Sequence, residues 1–299
     1  MPAQSLIRVN KGITRSTILH LRIPFSFFLL PVYLFALSEV ETFNLTNFII
    51  SFAILHLLVF PSSNGYNSYN DRDTDSIGLL KKPPAITYDL LIVTAVMDIL
   101  AVFAGLLIST EFSILLTGFI LMSRAYSNRS IRLKKYPFYS FLIVAFFQGA
   151  YVFLLSYTAL SGTPVTNVLR ADGIGREMLI SSLYIGSSYP LTQIYQHRSD
   201  RIDGVITLSY LLGHIGTFIF SITLFVIATI LLYIHFNDKQ NLAAFYIFNM
   251  VMLPDISFFF YWMFKVKRDR LQANYKNTML MNLITSLCMN AFFLIQILD

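Results

Sequence analysis

Asn67-Ser68-Tyr69-Asn70-Asp71-Arg72-Asp73-Thr74-Asp75 places three carboxylates and two amides between two apolar stretches. If the preceding helix continues through this segment, Asn67, Asp71 and Asp75 recur at every fourth position and share one helix face. Three oxygen donors then point the same way. Each ionised carboxylate at membrane depth costs about 2.5–3.5 kcal/mol on insertion scales, so such a face predicts a water-filled cavity or a bound cation. Oxygen-only ligation suits a hard ion such as Mg²⁺.

A second polar segment runs from Gln193 to Gly204, and within it Gln196 and Asp200 repeat the i, i+4 spacing. Gly204, followed by Thr207-Leu208, marks the turn into the next helix. Asp203 comes three residues after Asp200 and projects at a different angle. Where both segments leave the membrane on one side, their oxygens can hold Mg²⁺ while a diphosphate supplies the remaining ligands. Arg129, Arg132, Lys134 and Lys135 concentrate positive charge that would offset phosphate oxygens, although membrane anchoring alone also produces such a run. His197 is read as a loop residue or hydrogen-bond partner in preference to a base. Asp98 and Asp255 fall inside predicted helices, where they either line a cavity or bond between helices. His20, His56, His214 and His235 show no paired metal spacing and are assigned no role.

The elements that must position these groups are membrane helices. Hydrophobic residues make up 56% of the 299 and charged residues only 13%, whereas a soluble domain is nearer a quarter charged. Nine apolar runs of about 20 residues, the length that spans ~30 Å of hydrocarbon, lie near 17–37, 44–66, 88–109, 111–127, 137–160, 176–196, 207–234, 241–264 and 276–298. Leu, Ile and Phe recur in them without strict alternation, which favours helices over a barrel. With the N-terminus in the cytoplasm, 19 of the 22 basic residues fall inside, Arg8 and Lys11 among them, and only Arg170, Arg176 and Lys239 fall outside. The positive-inside rule selects that orientation. Pro24 and Pro31 interrupt the first run and argue against a cleaved signal peptide. The single Cys288 excludes an intramolecular disulfide and a cysteine-cluster metal site. With no heptads, low-complexity tract or linker, residues 1–299 read as one domain.

On these residues the chain resembles the UbiA superfamily of intramembrane prenyltransferases. Asn67, Asp71 and Asp75 match its first motif, Asp200 with Gly204 and Thr207-Leu208 its second, and Tyr126-Ser127 leading to Arg132-Leu133-Lys134 the segment between. Arg22 and Pro24 resemble the family's amino-terminal pattern. The resemblance implies that Asn67, Asp71, Asp75 and Asp200 bind a prenyl diphosphate through Mg²⁺ and that Arg132 and Lys134 hold its phosphates; Gln196, one turn before Asp200, is read from its position and amide oxygen as a rim ligand. It also implies ionisation of the allylic carbon–oxygen bond and capture of the carbocation by an electron-rich acceptor. The 28 Phe and 17 Tyr suffice to line an apolar tunnel. Two departures stand out: Ser68 occupies a position where many members carry Asp, and Gln196 one where the second motif usually begins with a carboxylate.

The expectation is therefore an all-α polytopic membrane enzyme with nine transmembrane helices around a central cavity. Asp71, Asp75 and Asp200 are its catalytic carboxylates, Mg²⁺ its cofactor, and a prenyl diphosphate and a lipophilic, aromatic acceptor its substrates. The membrane is the cytoplasmic one, with the site facing the cytoplasm. Carotenoid or other lipid prenylation would use the same cation chemistry. A secondary transporter would instead show an inverted repeat and charge at the midplane, whereas these acids cluster at one predicted face.

Overall fold

The computed structural model describes residues 13–202 and 204–299, with the backbone alone at Arg198 and Ser199. Arg8, Lys11 and Asp203, which the sequence reading uses, lie outside the described residues. All regular structure among the described residues is helical, apart from an isolated bridge between Ile77 and Leu80. In chain order the helices are α1 Arg15–Leu21, α2 Leu30–Ser38, α3 Leu45–Ala53, α4 Phe60–Asp71, α5 Asp89–Gly105, α6 Thr110–Ser127, α7 Pro137–Ala145 and α8 Val152–Ser161. They continue as α9 Val165–Val168, α10 Ile174–Gln193, α11 His197–Ile202, α12 Leu208–Asp238, α13 Leu242–Val251, α14 Leu253–Arg268 and α15 Tyr275–Leu298.

Among the described residues, four helical stretches are long and apolar enough to cross a membrane: Leu45–Asp71, Pro137–Ser161, Leu208–Asp238 and Tyr275–Leu298. The number rises to six if each of two bent pairs counts as one span; α13 and α14 form one such pair, bent by 43°. Helices α5, α6 and α10, of 17, 18 and 20 residues, occupy the remaining apolar runs.

The chain packs as two compact units, residues 13–27 with 44–133 and residues 28–43 with 134–299. In the first unit, the Asn44 side chain caps α3 by accepting from the Thr46 and Asn47 amides at 2.8 and 3.2 Å. The helix then widens into a π turn over Ile54–Val59. Pro61, just beyond it, has no N–H to give the preceding turn, and the wider turn takes up the missing rung. Gly65 lets α4 lie against α5, since a Cβ there would stand 2.8 Å from Thr94 Cγ2. Leu21, Ile86 and Leu90 pack beneath Tyr69, so the apolar core reaches the acidic end of α4.

In the second unit, a π turn over Phe146–Tyr151 joins α7 to α8. Gly149 within it meets α10: a Cβ would sit 2.4 Å from Ser182 Cα, and the Ala150 amide donates to Ser182 Oγ at 3.1 Å. Small residues at such crossings let helix backbones approach. Thr207 caps α12 through the Tyr210 amide, and Gly213, at φ 66 and ψ 175, breaks the helix one turn later. Thr217 Oγ1 donates to the Gly213 carbonyl at 2.7 Å and also lies 3.1 Å from that of Ser209, so its one hydroxyl proton meets the carbonyls at the break. Phe218, Phe259 and Trp262 form the aromatic centre of this unit, with the indole N–H donating to the Gln272 carbonyl at 2.8 Å.

Because the obstacle at Gly149 is backbone, Gly149→Ala should force α10 away and cost about 1–3 kcal/mol. A lowered thermal midpoint of the purified protein measures this. Gly175→Ala, whose Cβ would meet nothing within 4 Å, is the control and should leave the midpoint unchanged.

Candidate active site

Helix α4 stops at Asp71. Arg72 turns left-handed (φ 57, ψ 40), and its amide closes the end on the Ser68 carbonyl at 3.0 Å. Asn67 and Asp71 therefore share a helix face as the sequence predicts, but Asp75 does not continue it. Asp75 lies exposed in a bend beyond the helix, so the three-residue face is corrected to two helical ligands and one loop carboxylate. Asp71 is half-buried and Asp75 open to solvent. Ser68 points elsewhere: it is 2% exposed, within the packing.

The C-terminal end of α6 holds the polar end of α4. Ser127 Oγ donates to Asn67 Oδ1 at 2.9 Å, Asn128 Nδ2 to Tyr66 Oη at 3.0 Å, and Arg129 Nε to the Asn70 carbonyl at 2.5 Å. Ser63 and Ser123 join the same two helices one turn deeper, at 2.6 Å. Arg124 lies 4.0 Å over the Tyr66 ring and gives two N–H groups to Asp98, while Ser62 Oγ donates to Asp98 Oδ1 at 2.6 Å. Asp98 thus belongs to an interhelical ion pair, which settles one of the two roles open to it from sequence. The importance of Arg124 was not legible there, because Asp98 stands 26 positions away and Ser62 stands 62 away.

Arg132 is half-buried just past α6, in left-handed backbone at φ 46, with its amide donating to the Asn128 carbonyl at 2.6 Å. Arg22 and Arg72 share that conformation in the same unit, and Arg22 Nη2 donates to the Asn64 carbonyl at 3.1 Å. The left-handed region costs an L side chain roughly 1–2 kcal/mol, so arginine at three such turns is a conformational expense. Lys134 lies in the middle of a 3-10 turn, Leu133–Lys135, and belongs to the second unit.

In that unit α10 ends at Gln193, and the Gln196 amide donates to the Gln193 carbonyl at 2.9 Å. The Asp200 amide donates to the Gln196 carbonyl, also at 2.9 Å, so the two residues stand one helical turn apart as their spacing predicts. Gly204, at φ 69, then lets the Val205 amide return to the Asp200 carbonyl at 2.8 Å. His197 Nε2 meets Ser209 Oγ at 2.8 Å, and its ring stacks on His214 with centroids 4.9 Å apart. Burial, and then the neighbouring His214, push the His197 imidazole down to about 4. It is a neutral hydrogen-bond partner at neutral pH.

Asp255 is 4% exposed and accepts from Thr285 Oγ1 at 2.5 Å, beside a pocket that also includes Ser187 and Asn282. His235, to which the sequence assigns no role, meets Glu39 and Glu177. Separations of 196 and 58 positions left no local signal for that cluster.

Two expectations follow. Ser127→Ala would leave Asn67 without its orienting donor, and loss of such a supporting hydrogen bond typically weakens a metal site by about 10–100-fold. A Mg²⁺ titration of substrate binding, with folding intact, measures the shift. For His197, the unfolded chain binds a proton near pH 6.5 while the folded one resists until about 4, so stability is full above 6.5 and falls as pH drops through that window. His197→Gln should flatten the decline in thermal midpoint between pH 7 and pH 5.

The sequence profile of the UbiA prenyltransferase family matches residues 26–284. No curated protein matches the chain. Among solved structures, a UbiA homologue from Aeropyrum pernix is 19% identical, with a TM-score of 0.67 over 92% of this chain and 98% of that one. A UbiA homologue from Archaeoglobus fulgidus bound to GPP and Mg²⁺ is 18% identical, with a TM-score of 0.62 over 95% and 100%. A digeranylgeranylglyceryl phosphate synthase is 18% identical, with a TM-score of 0.60 over 95% and 99%. At these identities the likeness to the solved structures is one of fold.

Proposed function

This chain belongs to the UbiA prenyltransferase family, and from that premise we propose that it transfers a prenyl group from a prenyl diphosphate to a lipophilic, aromatic acceptor with Mg²⁺. It is an integral membrane protein and a transferase of prenyl groups. One observation carries the finer reading: Asn67 and Asp71 present oxygen donors from one helical turn, and Ser127 fixes the Asn67 amide at 2.9 Å. The Archaeoglobus fulgidus homologue, which binds GPP and Mg²⁺, supports a prenyl diphosphate as donor.

The donor set fits a hard divalent cation, because amide and carboxylate oxygens are the ligands such ions take. Asn67, Asp71, Asp75 and Asp200 would hold Mg²⁺, with Gln196 offering a carbonyl oxygen. When bound, the ion neutralises charge on the diphosphate leaving group. Arg132 and Lys134 bind phosphate oxygens as cations. The allylic carbon–oxygen bond breaks with its electron pair leaving on the diphosphate, the acceptor's π electrons form the new carbon–carbon bond, and a ring proton is lost. Phe and Tyr faces stabilise the carbocation while excluding water.

The architecture in this reading is a single UbiA-like domain of nine spans, with α1 to α2, α3 to α4, α7 to α8 and α13 to α14 each counting once. The charge distribution supports a cytoplasm-facing site in the cytoplasmic membrane.

Asp71→Asn and Asp200→Asn each keep the side-chain volume while removing one negative charge. Each should lower Mg²⁺-dependent diphosphate release by roughly a hundredfold or more, with expression and thermal midpoint largely retained. Near-normal turnover of both variants at saturating Mg²⁺ and geranyl diphosphate would remove these residues from the site.

A further inference from the structure

The second unit brings together two carboxyl groups and an imidazole at the end of α10 opposite Gln196 and Asp200. Glu39 follows α2, Glu177 lies in the first turn of α10 and His235 in the last turn of α12. About 24 Å of helix at 1.5 Å per residue separates Glu177 from Gln193. His235 is fully buried. Its Nε2 stands 3.1 Å from Glu39 Oε1, while its Nδ1, turned toward Glu177 Oε1 at 3.6 Å, makes no hydrogen bond. One ligand atom from each of the three residues lies within 4.8 Å of the other two.

We propose that His235 Nδ1 and Glu177 bind a divalent transition-metal ion of the zinc class, with Glu39 accepting from the opposite ring nitrogen as the carboxylate that orients the imidazole, separate from the Mg²⁺ chemistry of the acidic motifs.

The first argument is distance. A separation of 3.6 Å is long for a hydrogen bond but close to the roughly 3.4 Å between two ligands that each lie about 2.1 Å from a tetrahedral zinc. The second is ligand type. Imidazole with carboxylates suits zinc, whereas Mg²⁺ takes oxygen ligands. The third is charge. Lys239 Nζ reaches Glu39 Oε2 at 2.5 Å, and the nearby Arg176 is engaged with Asp238 at 2.5 Å. Glu39 and Glu177 thus lie together beside the Lys239 ammonium, an acidic setting that a divalent cation would complement. Lys239 is half exposed, so its ammonium can move to solvent as the ion enters. A metal here would tie together the ends of α2, α10 and α12.

The test uses the full-length protein in detergent, stripped with chelator and dialysed against Zn²⁺ in the presence of excess Mg²⁺. Wild type should retain about one zinc per chain, and His235→Gln and Glu177→Gln should each bind it roughly tenfold more weakly or worse. Zinc should also raise the thermal midpoint of wild type but not of the variants. Co²⁺ in place of Zn²⁺ should give wild type the visible absorption of a four- or five-coordinate site. The Asp71→Asn/Asp200→Asn double variant should keep both its zinc and that spectrum. If His235→Gln fails to fold, Glu177→Gln and the wild-type cobalt spectrum decide. Wild type that binds no zinc under excess Mg²⁺, undiminished zinc affinity in Glu177→Gln, or binding abolished in the Asp71/Asp200 variant would overturn the proposal.

Discussion

The ion pair between Arg124 and Asp98 links the apolar helices of the first unit to their polar end. Its side chains are only 19% and 15% exposed, deep enough that either charge alone would be costly. Arg124 meets that cost with several partners at once: the Asp98 carboxylate, Ser62 Oγ, the Thr94 carbonyl and the face of Tyr66. Three helices are thereby joined through one guanidinium, whose planar fork can reach several acceptors where a lysine ammonium would reach fewer. Within two turns of this junction, Ser127, Asn128 and Arg129 take hold of Asn67, Tyr66 and Asn70. The candidate ligands on α4 are thus placed by the adjoining helix as well as by their own.

The second unit solves a related problem by another means. Its long helices are interrupted at a π turn and at Gly213, and each interruption is met by a nearby side chain: Ser182 at the π turn and Thr217 at the break. In an apolar surrounding a backbone group without water must find protein. At both interruptions a side chain thus meets a backbone group close to the break. Glycine at position 149 brings α10 against the π turn, and α10 then carries polar chemistry at both ends, Glu177 at one and the Gln196–Asp200 turn beyond the other.

The helices were largely legible in the sequence because apolar runs of membrane length are a signal every residue contributes to. Helical segments occupy each of the predicted runs. The ends were less so. Nothing in Asp71-Arg72-Asp73 announces that Arg72 will adopt a left-handed turn, for arginine has no preference for it, and Asp75 was therefore assigned to a helix that had already ended. The i, i+4 relation of Gln196 and Asp200 was readable because it lies within one turn, where local spacing determines geometry. The Arg124–Asp98 pair and the Glu39–Glu177–His235 cluster depend on which faces of distant helices meet, and spacing along the chain carries no such information.

The departure at Ser68 has a physical reading in this packing. Asn67 and Asp71 lie one turn apart on the same face, but Ser68 is rotated about 100° from Asn67 and is almost wholly buried, with no hydrogen bond to its Oγ. A carboxylate in that position would be desolvated without a partner, at a cost of several kcal/mol unless the helix turned. Serine is small enough for the helix to stay seated against its neighbours, and that seating sets the direction of Asn67 and Asp71. The residue that looks like a missing ligand is thus a packing residue beside the ligands it helps to aim.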